Sequence, residues 1–186
     1  MIGALLDNLL APSPAPGRVA FLKGQPYAHR GLHGNGVLEN SPAAFDAAIR
    51  LGHGIECDVQ AAEDGRAFVF HDYELDRLTE RTGLIGKLRP EDIDQIQLKD
   101  GHGKIPRLRE TLVQVAGQVP ILIEIKSRNR RVGPLCLSDI RDLPSRFAIA
   151  QRSRGLPVVS WTVRSAEQER VASRYADEPV YEIPEN

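Results

Sequence analysis

Glu56 and Asp58 stand two residues apart in Gly54-Ile-Glu-Cys-Asp-Val-Gln60, a stretch that reads as a buried β-strand. Alternate side chains of a strand share a face, so the two carboxylates point one way while Ile55, Cys57 and Val59 point the other. Like charges in so small a space raise at least one pKa unless a cation or hydrogen-bond donors lie between them. A hard divalent ion such as Mg²⁺ or Ca²⁺ takes all-oxygen ligation, so the pair asks for a metal. Other apolar runs also end in polar groups: His29-Arg30, His71-Asp72, and Glu124 with Lys126 in Pro120-Ile-Leu-Ile-Glu-Ile-Lys126. Glu56, Asp58 and Glu124 together can hold one divalent cation, and His29 and His71 can take and return protons near neutral pH. Arg30 and Lys126 offer positive charge to an oxyanion, the planar fork of Arg30 suiting phosphate.

Structural alternatives exist for each. The Glu-x-Asp pair could be a solvated strand face, His29 could satisfy a loop carbonyl, Asp72 could cap a helix, and Lys126 could simply pair with Glu124. Glu124 resists such a reading most, because a carboxylate buried in an apolar strand without a partner is costly. His33, His53 and His102 lack comparable surroundings and read as loop or surface residues. Arg128, Arg130 and Arg131 form a basic run typical of a solvated loop, placed where it could attract a phosphodiester.

The elements that must position these groups alternate. Residues 3–10 suit a short helix ended by Pro12, Pro14 and Pro16. Tyr27-Ala28 is a short strand, Gly31 to Gly36 a glycine-rich loop, and Ser41-Pro42 an N-cap and first helical residue for a helix over 43–51, closed by Gly52. The acidic strand follows, then a D-G type turn at 62–65 and an apolar strand at 67–70. Residues 73–107 read as polar and irregular, with a short helix after Arg89-Pro90. A helix ending near Gly117, the strand at 120–126, a strand at 157–163, a helix at 166–175 and a strand at 180–183 complete the chain. Strands alternating with helices predict a parallel α/β sheet, with a β/α barrel as the main candidate; the carboxyl ends of its strands would bring the polar groups to one mouth.

A chain of 186 residues is one ordinary domain. Its 24 Lys+Arg against 25 Asp+Glu give a net charge of −1, which makes no global case for nucleic acid or an anionic membrane surface, so an anionic ligand must be held locally. Cys57 and Cys136 lack metal-type spacing and suit small core residues in a reducing compartment. The N-terminal stretch has neither a basic leader region nor an unbroken apolar core, which points away from a signal peptide or membrane span and toward the cytoplasm. Oligomeric state is not legible.

Taken together, these motifs resemble the glycerophosphodiester phosphodiesterase family: His29-Arg30-Gly31, Glu39-Asn40-Ser41, Glu56-Cys-Asp58-Val59, Asp64-Gly65, Val69-Phe70-His71-Asp72, Glu124-Ile125-Lys126 and Trp161-Thr162-Val163. The resemblance covers roughly residues 25–130 and 139–183, leaving 1–24 as an N-terminal extension to a domain over 25–186. It implies a metal-dependent TIM (β/α)8 barrel that cleaves a small-molecule glycerophosphodiester to glycerol 3-phosphate and an alcohol, in lipid and glycerol metabolism. By motif position His29 and His71 would be the acid/base pair, Glu56, Asp58 and Glu124 the ligands of Mg²⁺ or Ca²⁺, Arg30 and Lys126 the phosphate contacts, and Trp161 a pocket wall. The substrate's own hydroxyl would attack phosphorus, giving a cyclic phosphate that water opens. Ser41 replaces the family's usual Thr. Six barrel strands are legible where eight are needed, so a segment reads as missing near residues 136–137, either a true deletion or roughly 50–70 residues intervening between Cys136 and Leu137. A phospholipase D-like barrel acting on lysophospholipids, and a non-catalytic remnant binding phosphate or a partner, are the competing readings.

Overall fold

Ser41 and Pro42 begin helix α1, Pro42–Arg50, for the reason their types suggest. Ser41 keeps an extended backbone while its hydroxyl accepts from Ala44 N at 3.2 Å, and proline at the first helical position gives up no needed donor. The computed structural model describes residues 20–126, 136–139, 141, 143, 149, 153, 158–176 and 178–182. The expected helix at 3–10 and the basic run Arg128, Arg130 and Arg131 lie outside the described residues. The chain divides into two compact units, one of Met1–Tyr27 with Arg130–Glu182 and the other of Ala28–Asn129 with Ile183–Asn186.

In the second unit the acidic strand, β2, comprises Gly54–Ala61 and follows β1, Tyr27–Ala28, whose Ala28 belongs to this unit. Antiparallel β3, Ala67–Val69, folds back on β2 from Val59↔Val69 to Ala61↔Ala67. Helix α2 is the single turn Pro90–Ile93, and α3 is Leu108–Val115, where Ala116 turns left-handed. Strand β4, Ile121–Ile125, lies parallel to β2 from Ile55↔Ile121 to Val59↔Ile125. Seven consecutive residues of β2 are buried, so both of its faces are covered. Ile55 and Cys57 pack with Ala28, Phe45, Ala48 and Val115 beneath α1 and α3.

Residues 73–107 carry little regular structure, as expected, but they are not simply polar. Leu75, Leu78, Ile85, Ile93, Ile96 and Ile105 close over Phe68 and Phe70 as a separate core. Their spacing follows neither period, because turns and bridges rather than a helix face set their direction.

In the first unit β5, Cys136–Asp139, pairs parallel with β6, Val158–Val163, and β6 pairs parallel with β7, Glu178–Tyr181. Helix α4, Ala166–Tyr175, is capped by Ser165, whose hydroxyl accepts from Gln168 N, and it buries Ala172 against Val158, Val163 and Ala176. Strand β7 begins earlier than the expected residue 180, since pairing with β6 starts at Val159↔Glu178.

Cys136 and Leu137 pair with Val158 and Val159 as consecutive residues of β5, so the chain is continuous where 50–70 intervening residues were expected. The shortfall itself stands. Of the seven strands among the described residues, β3 is an antiparallel hairpin arm, which leaves six for an eightfold design. Among the described residues β4 pairs only with β2, and β5 only with β6. Ile123 and Ile125 of β4 are 40% and 55% exposed, contrary to the burial expected of so apolar a strand.

One glycine ties this scaffold to the polar loop ahead of α1. Gly31 has φ +78, and a Cβ there would lie 2.8 Å from Ala44 Cβ and 2.9 Å from Ala44 C, whereas Gly34, at φ +103, has open space around it. Gly31→Ala should therefore lower stability by about 1–3 kcal/mol more than Gly34→Ala, which strains only the backbone. Chemical denaturation of the two variants checks this; equal losses would remove the packing argument.

Candidate active site

Parallel pairing sets Asp58 opposite Glu124. In that register carboxylate oxygens of Glu56, Asp58 and Glu124 come within 4.8 Å of one another. Glu56 and Asp58 are buried, which excludes a solvated strand face. Burial, and next the charge of Asp58, push the Glu56 carboxyl up to about 8; Glu124 adds to the rise and the backbone N–H of Arg30 opposes it. On the opposite face burial pushes the Cys57 thiol well up, consistent with a core residue.

The loop from β1 to α1 holds these acids in place. Arg30 N donates to Glu56 Oε2 at 3.0 Å, and Asn40 Nδ2 donates to Asp58 Oδ2 at 2.9 Å while Asn40 Oδ1 accepts from Asp58 N at 3.3 Å. Arg30 and Asn40 both have φ 54, a left-handed conformation that asparagine tolerates and arginine seldom adopts. A 2.8 Å bond from Asn40 N to Arg30 O closes the loop across these two residues. Arg30 Nε lies 3.2 Å from Asp58 Oδ2 as an ionic contact, and Arg30 Nη1 donates to Glu39 Oε1 at 2.9 Å. Lys126 Nζ sits between two acids, 2.9 Å from Asp58 Oδ1 and 2.8 Å from Glu124 Oε1. Burial works against its charge, but Asp58 and Glu124 outweigh that and raise its pKa.

His29 is buried, with Nε2 4.0 Å from Glu56 Oε2. His71 presents Nδ1 to Asp72 Oδ1 at 2.6 Å, and Gln60 Nε2 donates to the carbonyl oxygens of both His71 and Asp72. Asp72 caps no helix; its other partner is Arg77, whose Nε donates to Asp72 Oδ2 at 2.6 Å. Beside them opens a cleft of about 410 Å³ lined by residues 71–74, Asp76, Arg77 and Lys126.

Seven of the eight residues expected at the site thus lie in one unit and share one network or its borders: His29, Arg30, Glu56, Asp58, His71, Glu124 and Lys126. Trp161 lies in β6, opposite Asp139, and its side chain is outside the described residues. His33, read as a loop residue, has its ring 6.4 Å from that of His29. The supporting residues Glu39, Asn40, Gln60 and Arg77 carried no assigned role in the sequence. Gln60 was accessible to the same reasoning as Glu56 and Asp58, being two residues further along one strand face.

Comparison with known proteins decides the family. Residues 29–150, more than half of the chain, match the model of the glycerophosphoryl diester phosphodiesterase family. The chain belongs to that family. A glycerophosphodiester phosphodiesterase of Bacillus altitudinis is 36% identical over 110 residues, 55% of this chain and 44% of that protein. The chain spans about half the length of the curated relatives it matches. The crystal structure of a glycerophosphodiester phosphodiesterase from Agrobacterium tumefaciens superposes with a TM-score of 0.66 at 20% identity, over 87% of this chain and 96% of that one. An Oleispira antarctica phosphodiesterase, solved with the product sn-glycerol-3-phosphate, gives 0.67 at 17% identity, over 86% and 93%. The fold is accordingly the TIM barrel of the glycerophosphodiester phosphodiesterases, two strands short among the described residues.

The family residues present suit a hard divalent cation. Every donor of the triad Glu56, Asp58 and Glu124 is a carboxylate oxygen, and buried Asp58 Oδ1 has an ionic neighbour in Lys126 but no aligned hydrogen bond. Without a cation the cluster strains the fold. Raising the Glu56 carboxyl from its ordinary 4.5 to about 8 means that folding becomes steadily less favourable as pH climbs through that window. In chelator, Glu56→Gln should therefore unfold at higher denaturant than the parent at pH 8, with the advantage vanishing toward pH 4.5. A gap independent of pH would show that Glu56 is not held protonated.

Proposed function

We propose that this chain hydrolyses glycerophosphodiesters to glycerol 3-phosphate and an alcohol, with His29 and His71 as the proton-transfer pair and Glu56, Asp58 and Glu124 as ligands of Mg²⁺ or Ca²⁺. The observation that carries this reading is the meeting of three carboxylates with a carboxylate-oriented histidine beside one cleft. The fold neighbour solved with sn-glycerol-3-phosphate supports a small-molecule ligand of that kind.

The residues divide the work as follows. Asp72 takes up His71 Nδ1–H, which leaves Nε2 to exchange a proton in the cleft. One histidine removes the proton of the attacking substrate hydroxyl and the other protonates the departing alkoxide; when water opens the cyclic phosphate the two exchange roles. Lys126 lines the cleft and places positive charge next to the phosphate, while Arg30 fixes Glu56 through its backbone and Asp58 and Glu39 through its guanidinium. A divalent cation on the carboxylate triad would supply Lewis-acid charge for the phosphate oxygens. Trp161 would form part of the substrate's surroundings.

Among the residues that line the cleft, Lys126 suits the phosphodiester that glycerophosphodiesters and lysophospholipids share. The continuous β5 is what favours the other reading, a remnant that binds phosphate without turnover. A cytoplasmic setting suits the free Cys57, and no helix among the described residues is long and apolar enough to cross a membrane.

Hydrolysis of glycerophosphocholine and of lysophosphatidylcholine, each with and without added Mg²⁺ or Ca²⁺, separates these readings. Cation-dependent turnover of the first substrate is expected; binding of glycerol 3-phosphate without any turnover would leave the remnant. His29→Ala and His71→Ala should each lower kcat by roughly 10²–10⁴-fold with cation affinity kept. Glu56→Gln, Asp58→Asn and Glu124→Gln should each lose most activity together with cation binding, read by calorimetry.

A further inference from the structure

Arg77 stands outside every motif that marks the site, yet it is bound to two of its acids. Its Nε and Nη2 reach Asp72 Oδ2 and Oδ1 at 2.6 and 3.1 Å, while Nη1 and Nη2 reach Glu39 Oε2 and Oε1 at 2.9 and 2.7 Å. Both contacts are two-point, so the guanidinium plane fixes the rotation of each carboxylate as well as its position. Glu39 is tied in turn to Arg30, whose backbone holds Glu56 and whose Nε lies against Asp58. A continuous chain of charge therefore joins His71 to the acidic triad through Asp72, Arg77, Glu39 and Arg30.

We propose that Arg77 is a positioning residue, clamped by Glu39, that orients Asp72 so that His71 keeps its proton on Nδ1 and turns Nε2 to the cleft. The inference rests on the role given to His71 above, but it adds a residue to which that reading assigns nothing. Three observations support it. Asp72 is the acceptor for His71 Nδ1, so its orientation sets which ring nitrogen carries the proton. Asp72 belongs to no helix or strand; Gln60 holds its backbone carbonyl, and Arg77 supplies the two-point contact that sets its carboxylate. Glu39 is largely buried and already bound to Arg30, which makes it a rigid anchor from which the half-exposed Arg77 is held. Glu39 stays ionised there, since although burial raises its pKa the Arg77 and Arg30 contacts outweigh that and leave it lowered. Arg77 acts through Asp72 in this account and touches no reacting atom.

The test compares parent, Arg77→Ala and Arg77→Lys protein in chelator at alkaline pH by ¹⁵N NMR of the imidazoles, with the His71 signal assigned by its loss in His71→Gln. The parent should show His71 protonated on Nδ1. Arg77→Ala should show a mixture of tautomers and, in separate assays with Mg²⁺ or Ca²⁺ added, a kcat roughly 10–100-fold lower with KM little changed, the size found when the outer partner of a functional histidine is removed. Arg77→Lys should recover part of both. Should Arg77→Ala fail to fold, Glu39→Gln loosens the same clamp from its other end and should move the tautomer ratio in the same direction. An unaltered His71 tautomer in a folded Arg77→Ala or Glu39→Gln protein would overturn the inference, as would a loss of activity confined to KM. The tautomer is read without turnover, so an inactive parent whose tautomer still depends on Arg77 would refute the proposed reaction and leave this inference standing.

Discussion

The parallel register of β2 and β4 is the constraint from which the rest of the site follows, because it sets Asp58 against Glu124 with Glu56 one pleat away. Three carboxylate oxygens within 4.8 Å of one another, two of them on buried residues, repel one another. The protein meets this repulsion with donors drawn from elsewhere: a backbone N–H from Arg30, an amide from Asn40 and an ammonium from Lys126. Each neutralises or hydrogen-bonds part of the charge, while burial, and next the charge of Asp58, still push the Glu56 carboxyl up against the opposing Arg30.

Those donors in turn explain the shape of the loop ahead of α1. For Arg30 N to face Glu56 and for Asn40 to embrace Asp58, the backbone must turn left-handed at both residues. Such a conformation costs on the order of 1 kcal/mol at arginine and persists only where neighbours over-determine it. Gly31, pressed onto Ala44 and Phe45, and Ser41, capping α1 while donating to Leu38 O at 2.6 Å, are the residues that over-determine it. Strain in the loop and repulsion in the strand are thus two sides of one arrangement.

How much of this could be read from the chain itself differs by residue and for physical reasons. The strand period placed Glu56 and Asp58 on one face, the apolar run around Glu124 marked β4, and the Ser-Pro pair located the start of α1, since each is a local rule acting within a few residues. Residues 73–107 were opaque, because their core forms from turns whose side-chain directions obey no period. Asp72 could as well cap a helix on sequence grounds, because the sequence cannot show that Arg77 reaches back five residues to it and 38 residues to Glu39. The junction at Cys136 misled for a related reason. Strand content near Leu137 was legible, but pairing with β6 extends the strand back across Cys136, and only a partner strand reveals that.

The charges of the connected network suit a cation in electrostatic terms. Glu39, Glu56, Asp58, Asp72 and Glu124 are five acids, and Arg30, Arg77 and Lys126 are three bases, linked through ion pairs or the shared acidic cluster. Without a cation Glu56 holds its proton below about pH 8 and the excess is one negative charge; a divalent ion that displaced that proton would meet an excess of two and cancel it. A network left at that excess would repel a phosphodiester, whereas one brought to neutrality lets Lys126 act on the phosphate in the cleft at close range. The three bases alone do not achieve this, since each is already engaged with at least two acids. The arginines and lysine thus organise the acids, and a divalent cation at the triad would add the charge that helps to receive an anion.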